Sequence, residues 1–391
     1  MSKTLKILIL IICLATLVTS ITLAGCKKTT EATAVVETTA VETTAAPETT
    51  AAPETTAAAA EETTQVEKEK VTIGVAMVDV TNPFFVDVMK GGDQVAAAMG
   101  AEVIWKSAEG SLEKQIAVVE NFIQQKVDAI FIDPLDPVAI KPVIEKALKA
   151  GIPTLTAANL VEVPGNISTP FPAKDAFKML MDMTAAYLNS KGDILYMSGI
   201  PGNQVLDQYL AGIVEQVKEY PDIKLLSEQP AKMDPALAQK IMENWLTAYS
   251  KIDAVIFTTD PDMYAAIESM KNVNRLGEFP LFSQNGDIKA LEMIKNNENN
   301  VKIDLLSGAT RIGALNMTIA IKLANGEKLP AEIWFGYVPV MTQETWDAIT
   351  ANGYKQDTEY KKSAQWITPE EAIEIVNNAD KEFVNWTPPA Q

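Results

Sequence analysis

Residues Val71 to Phe85 read VTIGVAMVDVTNPFF. Val71, Ile73, Val75, Met77 and Val78 form an apolar run whose length suits a buried parallel strand. Asn82-Pro83 then supplies a helix cap followed by a first-turn proline. A strand, a loop and a helix in that order place the loop at the carboxyl edge of a sheet, where open α/β proteins bind ligands. Phe84 and Phe85 lie at that edge and could stack on a flat ligand, or belong to the core. Phe85 also begins the helix stripe Val88, Met89, Gly92, Val95, Ala96 and Met99.

Working outward, Gly100 ends the helix and Ala101 to Trp105 reads as a second strand. Ser111 caps a helix with the stripe Ile116, Val119, Phe122 and Ile123, and Ala129 to Ile132 is a third strand. Pro137 to Ala150 reads as a helix stopped by Gly151, and Pro153 to Thr156 opens a fourth strand. The alternation restarts after Gly192 with strands at Ile194 to Met197, Ile223 to Ser227, Ala254 to Phe257, Leu281 to Ser283 and Ile303 to Leu306. Helices at Asn203 to Glu219 and Pro235 to Ser250 separate the first of these. This pattern predicts parallel sheets covered by helices on both faces. An internal echo points to two similar halves facing each other across a cleft. Lys126 to Pro134, KVDAIFIDP, recurs two residues longer from Lys251 to Pro261, and each copy ends in Asp-Pro at a strand's carboxyl edge. Asp133 and Asp260, the two aspartates, either cap the following helix or meet a ligand.

Composition narrows the chemistry. The 391 residues exceed one ordinary domain of roughly 150 residues, so two cores are expected. Cys13 and Cys26 both precede the folded part, which therefore has no disulfide, thiol nucleophile or thiolate ligand. Histidine is absent, which removes the commonest general base and transition-metal ligand, and no metal site or cofactor is expected. With 33 basic against 51 acidic residues, the net charge of −18 repels phosphate backbones, so nucleic acid is not an expected partner.

Ahead of the folded part, Lys3 and Lys6 precede the apolar run Ile7 to Val18, too short to span a bilayer but suited to a signal peptide. Leu23-Ala24-Gly25-Cys26 resembles the lipobox of bacterial lipoproteins, which implies lipid modification at Cys26 and attachment to the outer face of the cytoplasmic membrane. Residues 26–69 repeat AAPETT-like units that cannot bury a core, so they read as a disordered tether. Its r.m.s. reach is about 35 to 40 Å.

Taken in order, the lipobox, tether, TIGV strand, NPFF loop, AIFIDP strand and GIPTLT strand resemble the periplasmic binding proteins of the ribose and galactose class, which serve ABC sugar importers. That resemblance implies two Rossmann-like lobes joined by a three-segment hinge, with crossovers near Thr169 to Pro172, at Ser307-Gly308 and near Trp334 to Tyr337. The N-terminal lobe would comprise 70–171 and 308–336, and the C-terminal lobe 172–307 and 337–391, with an extra tail after Thr342. It implies a ligand shell of Asp79, Asn82, Phe84, Phe85, Asn159, Tyr209, Met233, Asp260, Asn285 and Ser307, to which Asp133 is added from the echo. Many pentose and hexose binders carry Asp-Arg where this chain has Ala158-Asn159, arginine where it has Tyr209, and FDG at Gln284-Asn285-Gly286. The bidentate arginine of those sites is absent. Asn285-Gly286 also fits a simple turn, Met233 a core position, and Arg311 either the cleft or a surface ion pair.

The expected function is therefore non-catalytic capture of a neutral sugar, polyol or nucleoside, with permease subunits of an ABC importer as partners and a monomeric state. The same fold serving as a sensor input to a signalling receptor, or binding a cation, are the alternatives. An exported enzyme is disfavoured because no GxSxG, P-loop, GxGxxG or zinc pattern occurs. The signal peptide argues against a repressor. In the tail, Trp346, Ile349, Tyr354 and Trp366 are expected to pack on a lobe, and Thr368-Pro369-Glu370-Glu371 to start a capped helix ending near Asn378.

Overall fold

In the computed structural model, which describes residues 70–355 and 365–387, the apolar runs become strands buried between helix layers. The expected signal peptide, Cys26 and the tether lie outside the described residues. In the N-terminal lobe, β1 (Thr72–Met77), β2 (Glu102–Ser107), β3 (Ala129–Ile132), β4 (Thr154–Ala158) and β5 (Ile167–Pro170) form one sheet in the order β2-β1-β3-β4-β5. Every pairing in it is parallel. Helices α1 (Pro83–Met99), α2 (Leu112–Gln125) and α3 (Lys141–Lys149) connect the strands. Ser111 caps α2 through Lys114 N–H at 3.3 Å, as its sequence predicts. Pro137 does not begin a helix: Asp136 gathers Val138 and Ala139 N–H in a preceding turn, and α3 starts only at Lys141.

The C-terminal lobe begins with α4 (Ala173–Tyr187), followed by β6 (Gly192–Ser198), α5 (Gln204–Gln216), β7 (Ile223–Pro230), α6 (Pro235–Ala248), β8 (Ala254–Phe257), α7 (Asp260–Asn272), β9 (Leu281–Asn285), α8 (Ile288–Lys295) and β10 (Val301–Leu306). Its sheet runs β11-β10-β9-β8-β6-β7, and the edge strand β11 (Val338–Val340) is antiparallel to β10. Both β5 and α4 escape the sequence reading. The β5 strand is disguised by buried polar residues: Ser168 Oγ pairs with Thr156 Oγ1 at 2.9 Å, and Thr169 donates to Asn316 Oδ1 at 2.7 Å.

The chain passes between lobes three times before the tail. It leaves the N-terminal core at Phe171-Pro172, returns at Ser307-Gly308 into α9 (Ala309–Ala324), and leaves again at Gly336 between Phe335 and Tyr337. Phe171 packs against both cores, with its ring 5.7 Å from Phe335 and 6.2 Å from Tyr337. Where α9 crosses α1, backbone meets backbone. A Cβ on Gly313 would lie 1.8 Å from Val88 O, and one on Gly91 1.9 Å from Thr310 O.

The tail does not stay with the C-terminal lobe. α10 (Gln343–Ala351) packs on α4, and Trp346 stacks on Trp366 at 5.1 Å against that lobe's core. α11 (Pro369–Asn377) opens with the predicted capping box at Thr368 and Glu371 and covers α8. Beyond Asn378, α12 (Ala379–Phe383) and Trp386 pack on the N-terminal core. Arg311 grips Glu382 with Nε and Nη2 at 3.0 and 2.9 Å, its guanidinium lying over the Phe335 and Phe383 rings. Arg311 is therefore held in an ion pair with the tail.

Candidate functional site

The chain leaves the N-terminal lobe at the carboxyl end of β5 and the C-terminal lobe at the carboxyl end of β10. Both carboxyl edges thus lie against the hinge, and the loops that follow their strands line the crevice between lobes.

In the first of these loops, Asp79 turns back on itself. Its Oδ1 accepts from Thr81 N–H at 2.7 Å and Thr81 Oγ1 at 2.8 Å, which holds its carboxyl below the usual range. Asn82 caps α1 by accepting from Phe84 N–H at 2.9 Å. This cap places Phe84 and Phe85 in the first helical turn, half-buried against the N-terminal core and edge-on to each other at 5.4 Å. Across β1, Asp133 follows β3. Gln115 Nε2 donates to its backbone oxygen at 2.7 Å, and no hydrogen bond to its carboxyl is seen among the described residues. Asp133 therefore caps no helix, and α3 has no side-chain cap. Although Asp133 retains some exposed surface, its carboxyl is crowded, and burial raises it to about 7. Asn159 follows Ala158, a non-glycine residue held at φ +62°.

The C-terminal lobe contributes differently. Tyr209 is 4% exposed, stacks on Phe177 at 4.0 Å and bonds its hydroxyl to Tyr337. It is thus a core residue of its lobe, and burial raises its phenol above the usual range. Met233 is 37% exposed at φ +57°, which overturns the core reading and leaves its thioether at the edge loop after β7. Asp260 is fully buried and caps no helix. Its Oδ1 accepts from Ser283 Oγ at 2.6 Å and its Oδ2 from Asp287 N–H at 2.9 Å. Asn285 ends β9 at φ +153°, a region that side chains rarely occupy, and its backbone oxygen accepts from Gly308 N–H at 2.9 Å. Gly286 beside it adopts φ +79°, which favours glycine, and a Cβ there would also lie 3.0 Å from Leu306 Cα. Ser307 is buried with its Oγ 2.7 Å from the Gln284 amide. With that amide turned so that Ser307 donates to its oxygen, its nitrogen reaches Thr258 O at 3.1 Å and Asn285 Oδ1 at 3.2 Å.

Sequence reasoning missed the acids beneath this edge. Asp304 is fully buried in β10, and Asp262 is fully buried in α7. Burial raises both to about 6, and raises Asp287, with help from nearby Asp260, to about 7. A charge in the apolar strand VKIDLL was the available signal. Among the described residues no group of His, Cys, Asp and Glu is arranged to hold a metal ion.

Two parallel-sheet lobes on a three-segment hinge, with ligand loops at facing carboxyl edges, agree with a match to the periplasmic binding protein domain over residues 73–328. The chain belongs to the periplasmic binding protein family. Its curated relatives include the xylitol-binding protein of Mycolicibacterium smegmatis, 28% identical over 288 residues that cover 73% of this chain and 80% of that one. The ribose import binding protein of Bacillus subtilis is 27% identical over 278 residues, 70% of this chain and 88% of its own. Among solved structures, an ABC transporter periplasmic solute binding protein from Actinobacillus succinogenes with bound D-allose superposes with TM-score 0.65 at 24% identity, covering 71% of this chain and all of that one. A Bacillus halodurans solute binding protein with myo-inositol gives 0.63 at 24%, covering 72% and 98%. These superpositions show the fold. As a member of this family, the chain is a binding protein and not an enzyme.

Proposed function

We propose that this periplasmic binding protein captures a neutral sugar, polyol or nucleoside outside the cytoplasmic membrane and delivers it to an ABC permease. The single observation that carries this reading is the polarity of the crevice. The carboxyl ends of β1, β3, β4 and β9 and the segments after them carry Phe84 and Phe85, Asp133, Asn159 and Asn285, and none of the eleven candidate residues is Lys or Arg. Aromatic faces pack on the apolar side of a ring or chain, and carboxyl and amide groups take hydroxyls. An anionic sugar would lack a cationic partner. Relatives described as xylitol- and ribose-binding, and structures holding allose and myo-inositol, support the same class. Closure about the hinge would bury the ligand and form one surface for the permease. The lipobox-like Leu23-Ala24-Gly25-Cys26 supports a lipid anchor and action as a tethered monomer.

Thermal-shift screening of neutral pentoses, hexoses, pentitols, inositols and nucleosides, beside sugar acids and amines, tests the reading. A neutral compound is expected to raise the melting temperature, with affinity little changed between low and roughly 0.5 M salt. Stabilisation by an amine alone, lost about tenfold in that salt, would establish the cation-binding alternative favoured by the desolvated Asp133 and Asp287.

A further inference from the structure

The turn that carries Asn285 rests on a pair of buried acids. Through Ser283 Oγ and Asp287 N–H, the Asp260 carboxyl grips the turn on both sides of Asn285, at 2.6 and 2.9 Å. Asp304, the β10 residue in register with Ser283, is likewise fully buried, neither of its carboxyl oxygens has a hydrogen-bond partner among the described residues, and it lies close enough to Asp260 for the two charges to act on each other. If both groups were ionised, the Asp304 oxygens would have no well-formed donor; the N–H groups of Asn285 and Gly286 are the nearest help.

The groups facing the pair supply no neutralising cation. Asp287 approaches from the turn and Tyr264 from α7. Asp262 lies nearby on α7 with Asp234 facing it. Lys289 acts on Asp287 and places its Nζ over the Tyr264 ring at 4.1 Å, and Asp87 of α1 faces Asp287 from the other lobe. Two neighbouring buried carboxylates with no cation between them cannot both ionise at modest cost.

We propose that Asp260 and Asp304 share one proton and act together as positioning residues that seat the Asn285 turn for ligand. One carboxyl carries the proton and donates it to the other, which stays ionised as the acceptor. The remaining lone pairs of Asp260 stay with Ser283 and Asp287. Burial lifts both acids above the ordinary carboxylate range. Removing the shared proton leaves two facing anions. Their repulsion pulls Asp260 off its two grips and loosens the turn. Neither acid needs to touch the ligand. The effect on binding rests on the reading under Proposed function, whereas the shared proton does not.

Difference infrared spectra of the full chain near neutral pH test the proton directly. Wild type is expected to show a protonated-carboxyl band that disappears in both Asp304→Asn and Asp260→Asn, apart from bands of Asp133 and Asp287 common to all three. The same protonated-carboxyl bands in all three proteins would overturn the pair, and either variant suffices if the other fails to fold. The binding arm uses xylitol and myo-inositol as probes. Wild-type affinity is expected to fall about tenfold between roughly pH 6 and pH 9, and that of Asp304→Asn less than about twofold. Parallel losses in parent and variant would overturn the positioning role. If neither polyol binds wild type at either pH, the ligand class is wrong, and the infrared result still decides the proton.

Discussion

Asp128 and Asp253 occupy corresponding places in the two lobes and do the same work. Asp128 Oδ2 accepts from Thr72 N–H at 2.7 Å, and Asp253 Oδ2 from Asp193 N–H at 2.7 Å, so each ties its loop to the start of the neighbouring strand. At the other end of the same echoed segment the lobes part. Asp133 keeps some exposed surface at the end of β3 with no hydrogen bond to its carboxyl among the described residues, while Asp260, two residues later in its copy, is buried beneath the Asn285 turn. A repeated sequence thus reproduces anchoring that depends on the adjacent strand. What its last acid does depends on residues outside the echo, Ser283 and Asp287 gripping the Asp260 carboxyl while the Asp133 carboxyl meets no such partner among the described residues.

The largest expected effect tests how rigidly the lobes are built. Gly313→Ala forces a Cβ within 1.8 Å of Val88 O, whereas Gly212→Ala in the C-terminal lobe meets Lys174 O at 2.5 Å. Urea unfolding is expected to show losses of about 3 kcal/mol for Gly313→Ala and about 1 to 2 kcal/mol for Gly212→Ala. Equal losses would mean that the N-terminal helix pair yields as easily as its counterpart.

Next in size is the first loop. Phe84→Ala is expected to weaken binding of a ligand found by screening by about 1 to 3 kcal/mol while the fold survives. Phe85→Ala should also lower the melting temperature. Calorimetric titration beside thermal melts separates the two, and unchanged affinity with a collapsed melt would return Phe84 to the core.

The edge acids give a smaller, pH-dependent effect. Burial raises Asp133 to about 7, so the folded state keeps a proton that the unfolded chain releases near pH 4. Stability from this group is full below about pH 4 and is lost as pH rises through about 7. Asp133→Asn should therefore melt higher than the parent at about pH 8, with the gap shrinking toward about pH 4. A gap independent of pH would show that the Asp133 carboxyl is solvated like an ordinary surface acid.

The smallest effect concerns the tail. Glu382→Gln removes the partner of Arg311, whose side chain is 11% exposed against 35% for Glu382, and should cost about 1 kcal/mol. The exposed pair Lys114 and Glu109 should cost close to nothing when broken. A loss for Glu382→Gln as small as that would leave α12 held by Phe383 and Trp386 packing alone.

Much of the architecture was legible before any coordinates. Strands such as Ala129–Ile132 announce themselves because a strand buried on both faces must be apolar at every position. The caps at Asn82, Ser111 and Thr368 are legible for a different reason, since a cap bonds to backbone only two or three residues away. β5 was illegible because its polar side chains find partners on β4 and α9, which local pattern does not contain. Tyr209 and Met233 were ambiguous in sequence because burial decides between shell and core: Tyr209 is buried against Phe177, whereas Met233 is exposed on a left-handed turn.

By itself, then, the sequence determined the two α/β halves, the three hinge passages, the capped helix starts and the absence of arginine from the candidate shell. The halves and the caps follow from period and turn chemistry, which act over a few residues, whereas the hinge passages and the candidate shell are what the family resemblance implied. Only the tertiary structure decided that the tail returns to the N-terminal lobe through Arg311 and Glu382, that Asp260 lies under the Asn285 turn, and that Asp304 lies against it. Burial and charge proximity are properties of residues brought together across distant segments, and one chain read in order does not contain them.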